Sequence, residues 1–438
     1  MKTRQRWLII THDFDVTGDR SSRVVSQRIP WLQEMGIEPF VISGSTGARS
    51  HTFPHYQRAG WGPSGASEKL KNAMGTGNLL TRSVAAGAAG LVQPLVMLER
   101  FLFAESARVA WVIPAKMAGL VLTRNLPFDL VYSSGGPASA HLAAALIKAR
   151  RGLPWFAELQ FPLVARQDRP GESQMSYSRQ ERWLEALERR ISREADLVGF
   201  THPAAMEQAR ERTPELRSKS FLVLPGASPE QVVPAKHRYT NKLNLCHFGD
   251  IATGNSLAPL VRAIALLREA HPGVEANIQI RLFGRLRDPA TLSALRTCRL
   301  ESLLETQADV ASVQRQAAIS AADCLLLIQE PGPAGRASIP LQVYDFIATG
   351  RPILAITSHN QFLDQIVTNH AGYIAHSSRD DTIKAALVHL VADWHARRLS
   401  QGAPTGLTVE GGVKALLDHV RSPHFLNQDQ THLAPGAS

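Results

Sequence analysis

The sequence predicts an α/β protein built from two doubly wound domains. Short apolar runs, such as WLIIT at 7–11 and FDLVYSS at 128–134, alternate with longer segments of helical period along the chain. Parallel strands need crossover connections of this kind, so the alternation favours parallel sheets. The pattern stops over the polar, proline-bearing stretch 226–242 and restarts at LNLCHFG, residues 243–249. A pattern that ends and begins again indicates two domains joined by one linker.

The chain length agrees with this division. The chain has 438 residues, and a domain usually has roughly 150. We predict an N-terminal domain over 1–228, a C-terminal domain over 240–400, and a C-terminal helix with a disordered tail over 401–438. Two doubly wound domains joined in this way are expected to face one another across a cleft, with ligands at the carboxyl ends of the strands.

Composition narrows the functional classes. The formal charge of +10 leaves open an anionic membrane face, an anionic substrate, nucleic acid, or a basic surface kept for solubility. The sequence has neither zinc-finger spacing nor an RNA-binding aromatic signature, so we do not expect a nucleic-acid partner. It also lacks an uninterrupted apolar run of about 18 residues, so we expect no membrane-spanning helix.

The cysteines indicate a reducing compartment. Cys246 and Cys324 lie in apolar runs, and together with Cys298 they lack the spacing of metal ligands. We therefore expect buried free thiols in a cytoplasmic protein and no metal site. The apolar run near the N-terminus is too short for a signal peptide and is typical of a first strand.

The segment FLFAESARVAWVIPAKMAGLVLTR, residues 101–124, stands apart from the alternation. It is apolar, helical in period and flanked by Arg and Lys. One interpretation is a helix buried against its own domain. The other is a helix that lies in a membrane interface, which the basic net charge favours. The sequence alone leaves both interpretations open.

Two loops at predicted strand ends, and one predicted strand, offer candidate residues in the N-terminal domain. THDFDVTGDRSSR presents Gly18 and Ser21 before a helix, and SSGGPASAH presents Gly136 and His141 in the same setting. Backbone N–H groups at such helix starts can meet a polar or anionic ligand. Glu158 is a carboxylate within the apolar run PWFAEL. The alternatives are a plain strand–helix turn, a half-buried structural histidine, and a carboxylate that is simply ion-paired.

The C-terminal domain repeats this arrangement. Gly249 and Asp250 follow one predicted strand, and Arg285 follows the next in RLFGRL. The loop LIQEPGPAGRASIP then carries Arg336 into a short helix. Backbone donors at that helix start, with an arginine nearby, are suited to a diphosphate.

That helix lies in SIPLQVYDFIATGRPILAI, residues 338–356. The helix carries Gln342 and Asp345. We expect Ser338 to cap it and Asp345 to lie about two turns in, where it could reach a sugar or ribose hydroxyl. Gly350 and Pro352 should end it. The alternative is a solvated loop with a surface aspartate.

Several motifs together resemble the GT-B glycosyltransferases of family 4. IPLQVYDFIATGRPILAI is similar to the nucleotide-sugar segment of that family, and DLVYSSGGPASAHLAAALIKARRGLPWFAEL is similar to its N-domain segment. RRISREADLVGFTHPAAMEQARER resembles a third segment. Because these motifs occur in the family's order and spacing, the resemblance runs from about residue 7 to 400.

The resemblance implies two Rossmann-like domains, an acceptor site in the N-terminal one and a nucleotide-sugar site in the C-terminal one. It implies a retaining hexose transfer that needs no metal and no cofactor beyond a UDP- or GDP-linked donor. The acceptor would be a glycan or polyprenyl-linked glycan at the inner membrane face, in surface polysaccharide or glycolipid synthesis. It assigns catalytic roles to Glu158 and Asp345. It makes Gly18, Ser21, Gly136 and His141 acceptor-side residues. The donor-binding residues that it implies are Gly249, Asp250, Arg285, Arg336, Ser338, Pro340, Gln342 and Asp345.

The chain departs from the family pattern at several positions. Gln342 stands where the family has a lysine, and Asp345 and Ala337 stand where it has glutamates. Asn255 and Gln160 replace residues that are often basic or a histidine. The changes at Gln342 and Asn255 remove positive charge from the predicted diphosphate site.

Arg285 and Arg336 are the available substitutes for that charge. Two other functions therefore stay open. One is a glycosyltransferase-fold protein that binds or scaffolds without catalysis. The other is a sugar-nucleotide epimerase of similar architecture.

Overall fold

A computed structural model describes residues 4–16, 20–46, 51–63, 65–67, 70, 88, 90–99, 108–136, 138–164, 179–228, 239–252, 254–308, 312–399 and 407–422. These residues form two compact units. The described residues up to Leu224, together with those from Gly412 onward, form the N-terminal unit. Those from Pro225 to Gly411 form the C-terminal unit.

The N-terminal unit contains a parallel seven-stranded sheet in the order β5-β3-β1-β6-β7-β8-β9. The strands of this sheet are β1 Gln5–Ile10, β3 Ile37–Ser43, β5 His55–Gln57, β6 Leu130–Gly135, β7 Trp155–Leu159, β8 Leu197–Phe200 and β9 Ser220–Leu222. A separate parallel pair is formed by β2 Asp13–Phe14 and β4 Ser45–Thr46. The described helices are α1 Arg20–Glu34, α2 Val112–Asn125, α3 Ala138–Arg151, α4 Arg179–Glu194 and α5 Pro203–Arg212.

The C-terminal unit has a parallel six-stranded sheet in the order β12-β11-β10-β13-β14-β15. The strands are β10 Leu243–Phe248, β11 Ile278–Phe283, β12 Leu304–Gln307, β13 Cys324–Ile328, β14 Ile353–Thr357 and β15 Tyr373–His376. The helices are α6 Ala258–Ala270, α7 Pro289–Cys298, α8 Ser312–Ala321, α9 Pro333–Arg336, α10 Gln342–Thr349, α11 Gln361–Asn369 and α12 Asp380–His395.

The predicted α/β class with two doubly wound, Rossmann-like domains is confirmed. The central strands are apolar because both faces of each sheet are covered, which is the rule for parallel sheets. Along β10, for example, Leu243 and Leu245 pack in one core cluster, whereas Cys246 and Phe248 pack in the cluster on the other face. The free thiols of Cys246 and Cys324 are buried, as expected.

The strand order fixes where a ligand can bind in each unit. The chain places strands on one side of β1 and then on the other, starting with β6. It does the same around β10, with β11 on one side and β13 on the other. The carboxyl ends of β1 and β6, and of β10 and β13, are therefore the switch points at which doubly wound folds bind ligands.

The last helix, α13 Val409–Val420, crosses the boundary between the units in sequence. Its later part belongs to the N-terminal unit, where the His419 ring stacks on Phe221 with centroids 3.9 Å apart. Arg421 donates to the carbonyl of Met35 at 3.0 Å. The predicted linker falls partly on residues 229–238, and the predicted tail on residues 423–438, which lie outside the described residues.

The described part of the 101–124 segment is a short turn at Val109–Trp111 followed by α2, whereas residues 101–107 lie outside the described residues. Within the described residues no helix is both long and apolar enough to cross a membrane.

Candidate functional site

Glu158 lies at the centre of a buried network in the N-terminal unit. One of its carboxylate oxygens accepts from Arg28, and the other accepts from the hydroxyls of Tyr132 and Ser134, each at 2.5 Å. The side chain has no exposed surface. The ion pair, which was one of the alternatives that the sequence left open for Glu158, is therefore present, and its partner is Arg28. The catalytic role of Glu158 stays a prediction.

Arg28 comes from the apolar face of α1, where its neighbours on the same stripe are Val24, Val25 and Leu32. Burial opposes its charge, but the carboxylate of Glu158 outweighs that effect, so the pKa of Arg28 is raised above its ordinary value. Burial, followed by the charge of Glu158, raises the pKa of the Tyr132 hydroxyl. The guanidinium stays charged, and its ionic partner is Glu158. Sequence reasoning missed Arg28, although a basic residue on a buried helical stripe was a visible signal.

Ser21 and Gly136 are brought into direct contact. The backbone N–H of Gly136 donates to Ser21 Oγ at 2.9 Å, and a Cβ at position 136 would lie 2.9 Å from the same oxygen. Gln160 donates to the Ser21 carbonyl at 3.3 Å and to Ser134 Oγ at 2.9 Å. The start of α1 is thus held against the carboxyl ends of β6 and β7. Gly18 lies outside the described residues.

His141 is fully buried in the first turn of α3. The indole of Trp155 donates to Ser133 Oγ at 2.8 Å. The Ser133 hydroxyl proton is then available to His141 Nδ1, which lies 2.9 Å from Ser133 Oγ and accepts it. We assign the ring proton to Nε2 on this basis. Nε2 is buried and makes no well-aligned hydrogen bond among the described residues, although the ring interacts with the backbone of Gly135. Such an atom is uncommon in folded proteins, and it keeps His141 as a candidate ligand contact.

In the C-terminal unit, the loops after β10 and β11 are joined to each other. Arg285 donates its backbone N–H to Asp250 Oδ1 at 2.9 Å, and Ile251 donates to the Arg285 carbonyl at 2.9 Å. A Cβ at Gly284 would lie 2.2 Å from the carbonyl oxygen of Gly249, so only glycine fits there. Gly249 itself has a φ of +129°, a region that favours glycine. The structure therefore brings Gly249, Asp250 and Arg285 together.

Gln342, which stands in place of the family's lysine, is close to the same loop. Its side-chain amide donates to the Phe248 carbonyl at the end of β10. The nearby His247 donates through Nδ1 to the Leu326 carbonyl at 3.0 Å, which leaves Nε2 as the unprotonated nitrogen. A Cβ at Gly249 would lie 3.1 Å from the Gln342 amide nitrogen. In this structure Gln342 joins the start of α10 to the end of β10.

Two buried amides hold the loop that precedes α10. Gln329 and Asn360 each donate to the carbonyls of Gly335 and Ser338, over distances of 2.5–3.1 Å. Gln329 also accepts from the backbone of Ser358 at 3.0 Å. Because each amide satisfies two carbonyls, the backbone of the loop is fixed at both positions. The sequence contained no signal for this clamp.

The start of α10 differs from the prediction. The helix begins at Gln342, with Leu341 at the N-cap and no side-chain cap, so Ser338 is not the capping residue. Ser338 instead lies in the clamped loop, and Asp345 is in the first turn, not the second. The reason is that Pro340 precedes the helix and its carbonyl accepts from the Val343 N–H at 3.0 Å. The predicted end is confirmed, because Gly350 is the C-cap with a φ of +69°.

Asp345 and Arg336 occupy different environments. Asp345 is buried, with 4% of its surface exposed, whereas Arg336 is half-buried in the last position of α9. Both make interactions within the protein. Arg285 and Arg336 are carried by the segments that follow β11 and β13, the strands on either side of β10. Within the described residues, no group of three or more His, Cys, Asp or Glu side chains is arranged to hold a metal ion.

The buried histidines predict a pH dependence of stability. Burial lowers the pKa of His141 and of His247 from 6.5 to about 4. Between those values the unfolded chain binds more protons, so the stability present above pH 6.5 is lost as the pH falls through about 4. Each residue contributes on the order of 3 kcal/mol. Urea denaturation of the whole chain from pH 7 to 4 is the measurement.

His141→Gln should reduce the pH dependence of stability in the N-terminal unit, where His55, whose pKa burial also lowers to about 4, still contributes. His247→Gln should flatten it in the C-terminal unit. The exposed His389→Gln in α12 is the control and should leave both slopes unchanged. If the free energy of unfolding changed with pH equally in all three variants and in the natural protein, the lowered pKa values of His141 and His247 would be contradicted.

The amide clamp gives a second prediction. Asn360→Ala removes the N-cap of α11, where Asn360 Oδ1 accepts from the Leu363 N–H at 3.0 Å. It also removes one of the two donors to each of the Gly335 and Ser338 carbonyls, which keep their bonds to Gln329. A cap is worth about 1 kcal/mol and each lost hydrogen bond about 0.5–1.5 kcal/mol. We expect a loss of about 2–4 kcal/mol in the C-terminal unit, measured by urea denaturation. A loss of about 1 kcal/mol or less would show that only the cap matters.

Comparison with known proteins agrees with this architecture. Residues 21–225 match the family model described as the glycosyl transferase 4-like domain. No curated protein sequence matches the chain significantly.

Solved structures resemble the chain over almost its whole length. Anabaena HepE in complex with UDP is 12% identical, with a TM-score of 0.57, and 98% of each chain is covered. Sucrose-phosphate synthase from Thermosynechococcus elongatus is 14% identical, with a TM-score of 0.59, over 98% of this chain and 100% of that one. A glycosyltransferase from Rickettsia africae is 10% identical, with a TM-score of 0.58, over 96% and 98%.

The fold is thus that of the GT-B glycosyltransferases, with two Rossmann-like domains. The match to the glycosyl transferase 4-like domain covers the N-terminal half of this fold.

Proposed function

We propose that the protein transfers a hexose from a UDP- or GDP-linked sugar, with retention and without a bound metal, to a glycan or polyprenyl-linked acceptor. The observation that carries the proposal is the arrangement at the carboxyl end of the C-terminal sheet. There the joined loops of Asp250 and Arg285 lie beside the start of α10, and the clamped loop carries Arg336. Backbone donors and two cations at a switch point are suited to a diphosphate.

The roles follow from charge. Arg285 and Arg336 would neutralise the diphosphate as it leaves, and stabilisation of that leaving group would be the main contribution to the rate. Asp345, in the first turn of α10, would accept from a hydroxyl of the donor. In the N-terminal unit, the region of Ser21, Gly136 and His141 would receive the acceptor. Glu158 would hold that region in place through its bonds to Ser134 and Arg28.

We place this reaction in surface polysaccharide or glycolipid synthesis, in the cytoplasm at the inner face of the cell membrane. The support for this placement is the resemblance of the motifs to family 4 enzymes, together with the net charge of +10. The acceptor class is tested with soluble glycans and polyprenyl-linked glycans under the same conditions. Transfer to neither class, with donor turnover intact, would contradict the acceptor assignment.

A ligand screen tests the donor site. UDP, GDP, UDP-glucose, UDP-N-acetylglucosamine and GDP-mannose are added at millimolar concentration to the purified chain, and the melting temperature is recorded. A ligand at about 100 times its Kd stabilises the folded state by about 2.7 kcal/mol. For a unit of this size that corresponds to a shift of about 5–10 °C. We expect such a shift with one nucleotide class, and no shift with any ligand would contradict the donor site.

One observation favours a second function, a non-catalytic binding or scaffold protein of the same fold. Gln342 replaces the lysine of the family pattern, and its amide is bonded to the Phe248 carbonyl. A neutral side chain at that position supplies no charge to a diphosphate. Turnover of any nucleotide sugar, by transfer or by hydrolysis, would exclude this alternative.

A further inference from the structure

Exposed apolar side chains are concentrated in one region of the N-terminal unit. Among the described residues, eleven large hydrophobic side chains are exposed, and eight of them lie between positions 61 and 121. Trp61 is 58% exposed, and in α2 Met117 and Val121 are 48% and 55% exposed. The helical stretch 90–99 contributes four more. Of these side chains, Trp61, Met117 and Val121 line one cavity and so form a contiguous apolar patch, which marks an interaction surface.

Helix α2 has two distinct faces. Ile113, Met117 and Val121 are exposed and follow one another at four-residue intervals. Since successive residues turn by about 100°, these three form one stripe about 80° wide. The opposite face is buried, and a Cβ added at Gly119 would lie 2.3 Å from Ile147 in α3. The exposed stripe is therefore not part of the core of this unit.

The stripe borders an apolar cavity. A cavity of about 440 Å³ is lined by side chains from α2, including Met117 and Val121, and from the segment around Tyr56, Arg58 and Trp61. This segment is fastened beside α2, because the indole of Trp111 donates to the Arg58 carbonyl at 2.8 Å. The Trp61 N–H also donates to the Ala110 carbonyl at 2.7 Å. The helix and the segment thus form one continuous surface, which we call the α2 face.

The charged side chains that line or adjoin the α2 face are basic. Arg58 lines the cavity, Lys116 lies three residues after Ile113 and flanks the stripe on one side, and Arg124 lies three residues after Val121 at the C-terminal end of the stripe. The sequence between 51 and 67, and that between 106 and 128, contain no aspartate or glutamate. An apolar stripe with basic borders and an exposed tryptophan is the composition of a surface that lies in the interface of an anionic membrane.

We infer that the α2 face docks on an anionic phospholipid bilayer, with Trp61, Met117 and Val121 in the interface and Lys116 and Arg124 at the lipid headgroups. This inference rests on the proposed function in one respect: a polyprenyl-linked acceptor would lie in the same membrane. Docking needs neither donor nor acceptor. The basic side chains can reach the headgroups while their aliphatic parts cover apolar surface.

The test is vesicle binding by the full chain without any nucleotide sugar. Vesicles of phosphatidylcholine alone are compared with vesicles that contain about one quarter phosphatidylglycerol, which supply the negative surface potential. We expect binding to the anionic vesicles that falls with added salt. Val121→Asp places a charge in the interface and should lower the partition coefficient at least about tenfold. Lys116→Ala with Arg124→Ala should lower it by about tenfold or more.

Val388→Asp is the matched control, because Val388 is an exposed helical valine in the C-terminal unit with 38% of its surface accessible. It should bind vesicles like the natural chain. Equal binding by Val121→Asp and Val388→Asp would overturn the inference. So would self-association of the natural chain that Val121→Asp abolishes while vesicle binding is absent, since the face would then be a contact between copies.

The two proposals fail separately. Unchanged turnover of a soluble nucleotide sugar by Val121→Asp, with lost vesicle binding, supports the docking face. Vesicle binding without any nucleotide response in the thermal screen would contradict the proposed function and leave the docking face supported. Equal melting temperatures of the two valine variants establish that the comparison is between folded proteins.

Discussion

Glu158→Ala is expected to destabilise the N-terminal unit by about 3–5 kcal/mol, because it leaves the Arg28 guanidinium charged and buried without its ionic partner. Both side chains are almost completely inaccessible, at 1% and 0% exposure. Two hydroxyls, those of Tyr132 and Ser134, lose their acceptor in the same change. Urea denaturation at neutral pH measures the loss as a lower midpoint for the N-terminal unit.

A second ion pair in the same unit serves as the control. Arg6 and Glu38 are joined at 2.7 Å on neighbouring strands, but about a third of each side chain is exposed. Glu38→Ala should cost about 1 kcal/mol or less. The double variant Arg28→Met with Glu158→Leu removes the buried charge altogether, so it should recover much of the stability lost in Glu158→Ala. Equal losses for Glu158→Ala and Glu38→Ala would contradict the buried ion pair.

The same variants separate the two roles of Glu158. If it only positions the β6 and β7 ends, the double variant should regain turnover together with stability. If the carboxylate acts on the substrate, turnover should stay low although the fold is restored. Steady-state rates measured well below the melting temperature of each variant decide between these outcomes.

The double variant Arg285→Ala with Arg336→Ala is expected to weaken nucleotide-sugar binding by on the order of a hundredfold or more, since each charge-assisted contact is worth about 1.5–3 kcal/mol. The two arginines are the substitutes that we propose for the basic residues missing from the family pattern. Their loops are held by backbone contacts, such as that of the Arg285 N–H to Asp250, which the substitutions leave intact. Isothermal titration calorimetry with the nucleotide found in the screen gives the change in affinity.

A charge-matched control removes two other arginines of the C-terminal unit. Arg296, near the end of α7, and Arg398, after α12, are exposed. Helices in a doubly wound unit run antiparallel to the strands, so these helix ends lie at the amino edge of the sheet, away from the carboxyl ends. Arg296→Ala with Arg398→Ala should keep donor affinity within about twofold. Full affinity in the Arg285 and Arg336 double variant would contradict their role.

Local sequence pattern determined the fold class and the position of most elements. Parallel strands covered on both faces must be apolar throughout, and the helices between them need a helical period, so the alternation is visible in the letters. The edge strand Leu304–Gln307 was missed because its sequence, LETQ, is polar and mostly exposed. The end of α10 was predictable, since a glycine followed by proline signals a helix stop whatever the surroundings.

Only the tertiary structure decided how the candidate residues are connected. Arg28 meets Glu158 across 130 positions of sequence because α1 packs where β6 and β7 end. Asn360 holds Ser338 because β13 and β14 are neighbours in the sheet. The exposed stripe of α2 likewise depends on which face α3 covers. Periodicity records the environment of each residue but not the identity of its partner, and strand order, which sets the partners, is a property of the folded chain.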